Sequence, residues 1–468
     1  MQPREPTRSN NRAPADAAAP VAPAAATSAE PDAARARMAS ELRQHGHALS
    51  PLVQDAFATV PRHVFVPEIG PAAAYRDEAL VIKCGPDGLP VSSSSQPAMM
   101  AIMLDQLGLQ RGHRVLEIGT GSGYNAAVMS AVVGPDGEVV TMDIDPQLVA
   151  RARASLLAAG AKAVTVRCAD GGYGDPDGAP YDRVIVTAGA WDIAPAWLGQ
   201  LAPGGRLVLP LSVRGIQLSV GLEQTSRGWW LSTSACRCGF VRMLGAFAGP
   251  EEVIRLDEPW AMVCQVSDGN PVHGGALAAA LSGEASDEPV PVVLASIAEL
   301  ADLDLWLTMS AGSLDRLTVL AAPGGTPRSA PPPPFGVLVS SGTDAQRLGL
   351  GMLLPIAVGD DEAEQQHGSE LTPGHEPEPG RDRATAAEHT FGRAWAATVR
   401  GLGPGGRELA TRLAALSGRW ARLGRPGSRD MEVLVWPAGA EPSRVPSNLV
   451  LFRRPSVTIG VGWPVHAR

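Results

Sequence analysis

The residues best placed to do chemistry lie in Val115-Leu116-Glu117-Ile118-Gly119-Thr120-Gly121-Ser122-Gly123-Tyr124. A short apolar run carrying Glu117 opens into a turn with glycine at 119, 121 and 123, and a helical pattern starts at Tyr124. Glycine at alternate positions keeps side chains out of the turn, so a ligand can reach the main chain. The helix that follows directs its positive end to the same place.

Two further acidic residues fall where a nucleoside would need them. Asp143 ends the run Glu138-Val-Val-Thr-Met142, where a carboxylate can accept two hydrogen bonds from a ribose diol. Asp170, followed by Gly171, comes after Ala163-Val-Thr-Val-Arg167 and is placed to accept from an adenine amine. Either aspartate alone could be a strand-end or turn residue. Their joint placement beyond a glycine-rich turn favours binding. The spacing G-x-G-x-G departs from the dinucleotide pattern G-x-G-x-x-G, and Glu117 suits a ligand with a cationic amino acid moiety. Together they point to S-adenosylmethionine, held by Glu117, Gly119, Thr120, Gly121, Gly123, Asp143, Asp170 and Gly171.

The elements that position these residues follow from hydrophobic period. Apolar runs at 115–118, 138–142, 163–167, 182–186 and 206–210 alternate with helical patterns. Asp145-Pro146 supplies an N-cap and an N1 proline for a helix through Ala159. Leu201-Ala-Pro-Gly-Gly205 reads as a helix stop and turn. Strands of this kind are buried on both faces, so the expected fold is α/β, Rossmann-like, with a mostly parallel doubly wound sheet and a C-terminal α+β domain.

Several blocks make the chain resemble the protein-L-isoaspartate O-methyltransferases over about residues 38 to 250. They are Val60-Pro-Arg-His-Val-Phe-Val-Pro67, Ala74-Tyr-Arg-Asp77, Ser95-Gln-Pro97 with Met99 and Met100, Glu117 to Tyr124, Pro180-Tyr-Asp182, Val186-Thr-Ala188 and Gly204-Gly-Arg-Leu-Val208. The resemblance implies methyl transfer to an aspartyl or isoaspartyl carboxylate in a protein or peptide, with Ser95 contacting the acceptor. A carboxylate is already an anion at neutral pH, so no general base is needed. The chain departs from the family at Cys84–Val91 and its four serines 92–95, at Arg242 where a proline follows Phe-Val, and in some two hundred further C-terminal residues. Extended bacterial members resemble enzymes acting on ribosomally made modified peptides. That implies esterification of a normal aspartate leading to aspartimide and isoaspartate, with general isoaspartyl repair as the alternative. A methyltransferase of another substrate class, or a peptide-binding scaffold, is a further reading.

The rest of the chain sets bounds. Residues 1–37 are rich in Ala and Pro and read as a disordered tail; 38–250 is the expected catalytic domain and 251–468 an accessory domain with a disordered acidic loop near 360–383. Leu300–Ser310 and Phe335–Ser341 read as strand or buried segments, and Pro331–Pro334 as an exposed turn. Ala394–Arg400, Gly406–Leu416 and Arg419–Leu423 have helical period; Met431–Trp436 and Asn448–Phe452 look like strands. The accessory domain fits a docking platform for a peptide or a dimerising unit equally well. Five cysteines without a C-x-x-C pair argue against disulfides or a metal site, and Cys236-Arg-Cys238 has no nearby histidine to complete one. No stretch reads as a membrane span or signal peptide, so a cytoplasmic location is expected. A net charge of −9 and 4% aromatic residues argue against a nucleic-acid partner.

Overall fold

Alternation along the central strands decides the architecture. Val115, Val139, Ile185 and Val208 are buried in one apolar cluster, while their neighbours Leu116, Val140, Val184, Val186 and Leu207 are buried in another. Successive side chains of a strand leave opposite faces, so this sheet must be covered on both sides. A computed structural model describes residues 29–256, 262–266, 272–312, 315–320, 337–339, 348–357 and 395–464.

The described chain opens with α1 (Ala29–Gln44), α2 (Pro51–Thr59) and the single turn α3 (Pro71–Ala74). A hairpin of β1 (Leu80–Cys84) and β2 (Pro90–Ser94) leads into α4 (Pro97–Leu107). The expected α/β alternation follows as β3 (Arg114–Ile118), α5 (Tyr124–Val133), β4 (Glu138–Asp143), α6 (Pro146–Ala158), β5 (Val164–Cys168), β6 (Tyr181–Val186), α7 (Pro195–Gly199) and β7 (Leu201–Val213). β8 (Ile216–Gln224) and β9 (Trp230–Cys238) then turn back antiparallel.

Strands β5, β4, β3, β6 and β7 lie side by side in that order and pair in parallel. The strand order reverses between β3 and β6, which opens a crevice at their carboxyl ends. Glu117 and the glycine turn sit at this point. The α/β Rossmann-like reading therefore holds, with antiparallel strands continuing the sheet beyond β7.

Beyond residue 251 a second sheet forms. It contains β10 (Glu252–Leu256), β11 (Met262–Val266), β12 (Ala285–Pro289), β13 (Asp315–Leu320), β14 (Val337–Val339), β15 (Leu350–Ala357) and β16 (Trp395–Leu402). Helices α8 (Gly274–Leu281), α9 (Ile297–Ser310) and α10 (Gly406–Arg422) accompany it. The chain then crosses back: β17 (Glu432–Pro437), β18 (Leu449–Arg453) and β19 (Val457–Gly462) extend the first sheet past β9, giving ten strands. Val433, Val435, Ile459 and Val461 are buried in the same cluster as Leu218 and Val220.

Several expectations need correcting. The tail expected through residue 37 is already helical from Ala29, because Met38, Ala39 and Leu42 bury one face of α1. The accessory domain expected over 251–468 is not a separate body, since its last three strands complete the catalytic sheet. Leu300–Ser310, read as strand or buried segment, is buried but helical: Ser296 caps the helix by accepting from the Glu299 amide at 3.2 Å, and α9 is buried nearly all round. Of the segment expected helical over 394–400, the described residues 395–400 fall on strand β16 despite their alanines, because β16 is sandwiched between β15 and β12. The turn expected at Leu201–Gly205 lies inside β7, as a register shift between the pairs Tyr181–Leu201 and Arg183–Arg206. Pro331–Pro334 and the acidic loop at 360–383 lie outside the described residues.

Candidate cofactor and acceptor site

Local sequence explains the glycine turn. Gly119, Gly121 and Gly123 have φ of 105°, 52° and 85°, a region costly for residues with a Cβ. A Cβ on Gly119 would stand 2.6 Å from Thr187 Oγ1. The turn does not leave its amides free, as the motif suggested. Gly119 and Thr120 donate to the Met142 carbonyl, Gly121 to Asp143 Oδ2 at 3.0 Å, and Gly123 to the Thr120 carbonyl. The glycines thus clip β3 to the end of β4 and leave clearance above it.

A cleft lies over this turn. Glu117, Gly119, Thr120, Gly121, Asp143, Gly171 and Ser95 all line it. Gly123 and Asp170 do not. Gly123 begins α5 and packs against α6, where a Cβ would meet Ala152 Cβ at 3.2 Å. Asp170 accepts from the amides of Gly172 (2.9 Å) and Ala246 (2.8 Å), so its oxygens tie the 245–246 segment down behind the cleft wall.

Glu117 is fully buried and accepts from Asn125 Nδ2 (2.8 Å) and Thr141 Oγ1 (2.6 Å). Burial pushes its carboxyl up to about 7; the two hydrogen bonds and the repulsion of nearby Asp143 are smaller influences. Burial also raises Asp143, which accepts from the amides of Gly121 and Asp145. Asp145 caps α6 as expected and pairs with Lys83 of β1.

The donor set fits the methionine-bearing nucleoside. Asn125 Oδ1 and Ser94 Oγ are buried without a hydrogen-bond partner among the described residues, and both residues line the cleft. Glu117 and Asn125 Oδ1 offer only acceptors, which suits a cationic amino acid moiety, and Asp143 can still accept from a hydroxyl.

The opposite wall is built by the serine run. Ser92, Ser93, Ser94 and Ser95 close the cleft from β2 and the turn after it. Arg62, fully buried, donates to the carbonyls of Ala74, Arg76, Glu78, Ser94 and Ser95 at 2.8 to 3.3 Å, and so fixes the backbone that presents Ser95. Asp77 holds the start of α4 through the Gln96 side chain and the Ala98 amide. The Ser95 hydroxyl makes no hydrogen bond among the described residues. Arg242 completes the wall. Its backbone bridges to Gly189, and its side chain has no ion pair or hydrogen bond among the described residues. Arg242 stood out in the sequence only as a departure. Asn125 and Thr141 carried no signal of their own, because their role is to hold Glu117.

Cys236 and Cys238 are free thiols raised by burial, Cys236 to about 11. Among the described residues no His, Cys, Asp and Glu cluster could hold a metal, and no helix is long and apolar enough to cross a membrane.

Residues 33–246 match the family model described as Protein-L-isoaspartate(D-aspartate) O-methyltransferase. The protein-L-isoaspartate O-methyltransferase of Methanopyrus kandleri is 41% identical over 221 residues, covering 47% of this chain and 95% of that protein. That of Methanosarcina mazei is 45% identical over 200 residues, covering 43% of this chain and 79% of that protein. A solved protein-L-isoaspartate O-methyltransferase aligns over 86% of this chain and 96% of its own at 20% identity, with a TM-score of 0.44.

Proposed function

The chain belongs to the protein-L-isoaspartate(D-aspartate) O-methyltransferase family, and from that premise we propose that it esterifies the carboxylate of an isoaspartyl residue in a protein or peptide. It is an S-adenosylmethionine-dependent methyltransferase. The bound cofactor supplies a methyl group activated on a sulfonium. Asp143 accepts from the ribose diol, Glu117 and Asn125 Oδ1 hold the cationic amino acid moiety, and Gly119, Thr120, Gly121 and Gly171 shape the floor. Asp170 and Gly123 support that floor from outside.

The observation that carries the proposal is that these residues and Ser95 face one cleft. Ser95 donates to one acceptor oxygen and leaves the other to attack, and Arg242 supplies a positive charge on the same wall. Met100, Met243 and Leu244 line the cleft and keep water from the transfer path. The reacting group needs no base, so positioning does most of the work.

We also propose residues 38–250 as the catalytic unit, lengthened by α1 from Ala29 and by 432–462 in its sheet. The comparisons favour general isoaspartyl activity. The narrower reading, a normal aspartate in a ribosomally made peptide, rests only on the serine run and the extension. One assay separates them: labelled cofactor is incubated with an isoaspartyl peptide and its aspartyl twin. Methylation of the isoaspartyl form is expected, and Ser95→Ala should lower turnover at unchanged cofactor affinity. Methyl gain on the aspartyl peptide alone, followed by loss of methanol, would favour the narrower reading. No transfer to either would sink both.

A further inference from the structure

Beyond the serine run, the acceptor side opens into a second depression of about 690 Å³, which shares Ser93 and Ser95 with the cofactor cleft. Met99, Cys238 and Phe240 give it an apolar side facing the polar Ser93, Ser95 and Gln96, and among the described residues no aspartate or glutamate lines it. Arg237, near the end of β9, is its one basic residue.

The guanidinium of Arg237 is held at one nitrogen. Nη1 donates to the Ala301 carbonyl at 2.5 Å and to Asp304 Oδ2 at 3.0 Å, both on α9. Asp304 is 3% exposed and also accepts from Nη2 of Arg316 at 2.8 Å, so its single charge is divided between two guanidinium groups. Nε and Nη2 of Arg237 have no hydrogen-bond partner among the described residues, and the side chain is 25% exposed. An anchored guanidinium with an open edge, beside hydroxyl and amide side chains and with no acid lining the depression among the described residues, is a receptor for a carboxylate. The reacting carboxylate is not its ligand, because Arg237 does not line the cofactor cleft.

We propose that this depression binds a second carboxylate of the acceptor, close to the methylated residue, and that Arg237 recognises it. Asp304, from the segment beyond the family match, is the positioning residue. The inference rests on Ser95 marking the acceptor side.

The test uses the full chain and three isoaspartyl peptides: a C-terminal amide with neighbouring Glu, the same amide with Gln, and a short Gln peptide ending in a free carboxylate. The wild type should prefer the Glu amide over the Gln amide about tenfold in kcat/KM, mostly through KM. A matching preference for the free-terminus peptide would identify the chain end as the source. Arg237→Gln should erase the preference at unchanged cofactor affinity, while Arg237→Lys, which keeps the charge, retains part of it. Asp304→Asn should reduce the Glu-to-Gln ratio, a readout that loss of stability alone does not move. Equal kcat/KM on all three peptides, or a preference untouched in Arg237→Gln, would overturn the inference and leave the proposed function standing. Failure to methylate any of them would overturn the acceptor reading and this inference with it.

Discussion

Glu117 offers the sharpest check on the cofactor site. Its carboxyl is pushed from 4.5 up to about 7 in the folded protein, chiefly by burial. The folded state therefore holds this proton more tightly than the unfolded one. The stability this one group contributes is greatest below about pH 4.5 and falls as pH rises through about 7. At roughly 1.4 kcal/mol per tenfold, that interval is worth ~3 kcal/mol, lost in full above pH 7. A cation docked against Glu117 reverses the preference and holds the carboxylate ionised. At pH 6 only about a tenth of the free protein is ionised there, and at pH 8 about nine tenths, so cofactor affinity should rise about tenfold between them. Calorimetric titration with S-adenosylmethionine at several pH values, in buffers of different ionisation enthalpy, reads both the affinity and the proton released. Glu117→Gln should flatten the profile and raise the melting temperature of the free protein at pH 8 more than at pH 5. A flat wild-type profile between pH 6 and 8, or a slope that survives in Glu117→Gln, would refute the assignment.

Asp143→Ala should weaken cofactor binding by about 3 kcal/mol, since it loses two charge-assisted hydrogen bonds and frees the Gly121 amide; calorimetry checks this, and an unchanged dissociation constant would remove Asp143 from the site. Arg62→Met should lower the unfolding free energy by more than ~3 kcal/mol, because it strands five carbonyls that now share one guanidinium; denaturant titration measures it. Truncation after residue 250 should give aggregating protein, since it uncovers the edge at Trp230 and Leu231 and removes Val433, Val435, Ile459 and Val461 from a shared cluster; a monomeric, cofactor-binding fragment by light scattering would contradict this.

Most of the catalytic sheet was legible because its signals are local. Apolar runs such as 182–186, the Asp145-Pro146 cap and the three glycines each follow from the chemistry of a few neighbours. Asp143 lines the cleft at the end of a readable strand, whereas Ser95 was legible only through the family resemblance, with no strand read before it. Asp170 was misplaced because a carboxylate after a strand serves equally to cap the next turn, and only the chain at 245–246, more than seventy residues on, decides which. Arg62 and Arg237 escaped notice because their partners are distant in sequence, and Asn125 because a single amide at the start of a helix carries no pattern of its own. The C-terminal region misled for a related reason. Leucine alternation in α9 and alanine content in β16 express burial against other elements, and burial is not visible from one segment.

Among the described residues the extension meets the methyltransferase unit at several places, three of them close to the cleft walls. β17 pairs with β9 through Leu434–Leu231 and Val435–Trp230. Ser456 donates its amide to Asp192 at 3.0 Å, and the Arg454 guanidinium lies 4.1 Å over the Trp191 ring. Trp191 and Asp192 follow Thr187, Ala188 and Gly189, which carry the end of β6 into the cleft and bridge to Arg242. The third contact is Asp304 on Arg237. These three act on the half of the molecule beyond β6, as do Arg214 on the Thr308 carbonyl and Arg316 on the Gly215 carbonyl, while Arg255 reaches the Asp87 carbonyl in the β1–β2 hairpin; none of these touches β4 or β5. An extension that only stabilised the fold would have no reason to favour one half. The asymmetry argues that its contribution falls on the acceptor, so disturbing these contacts should change KM for peptide before it changes the dissociation constant for cofactor.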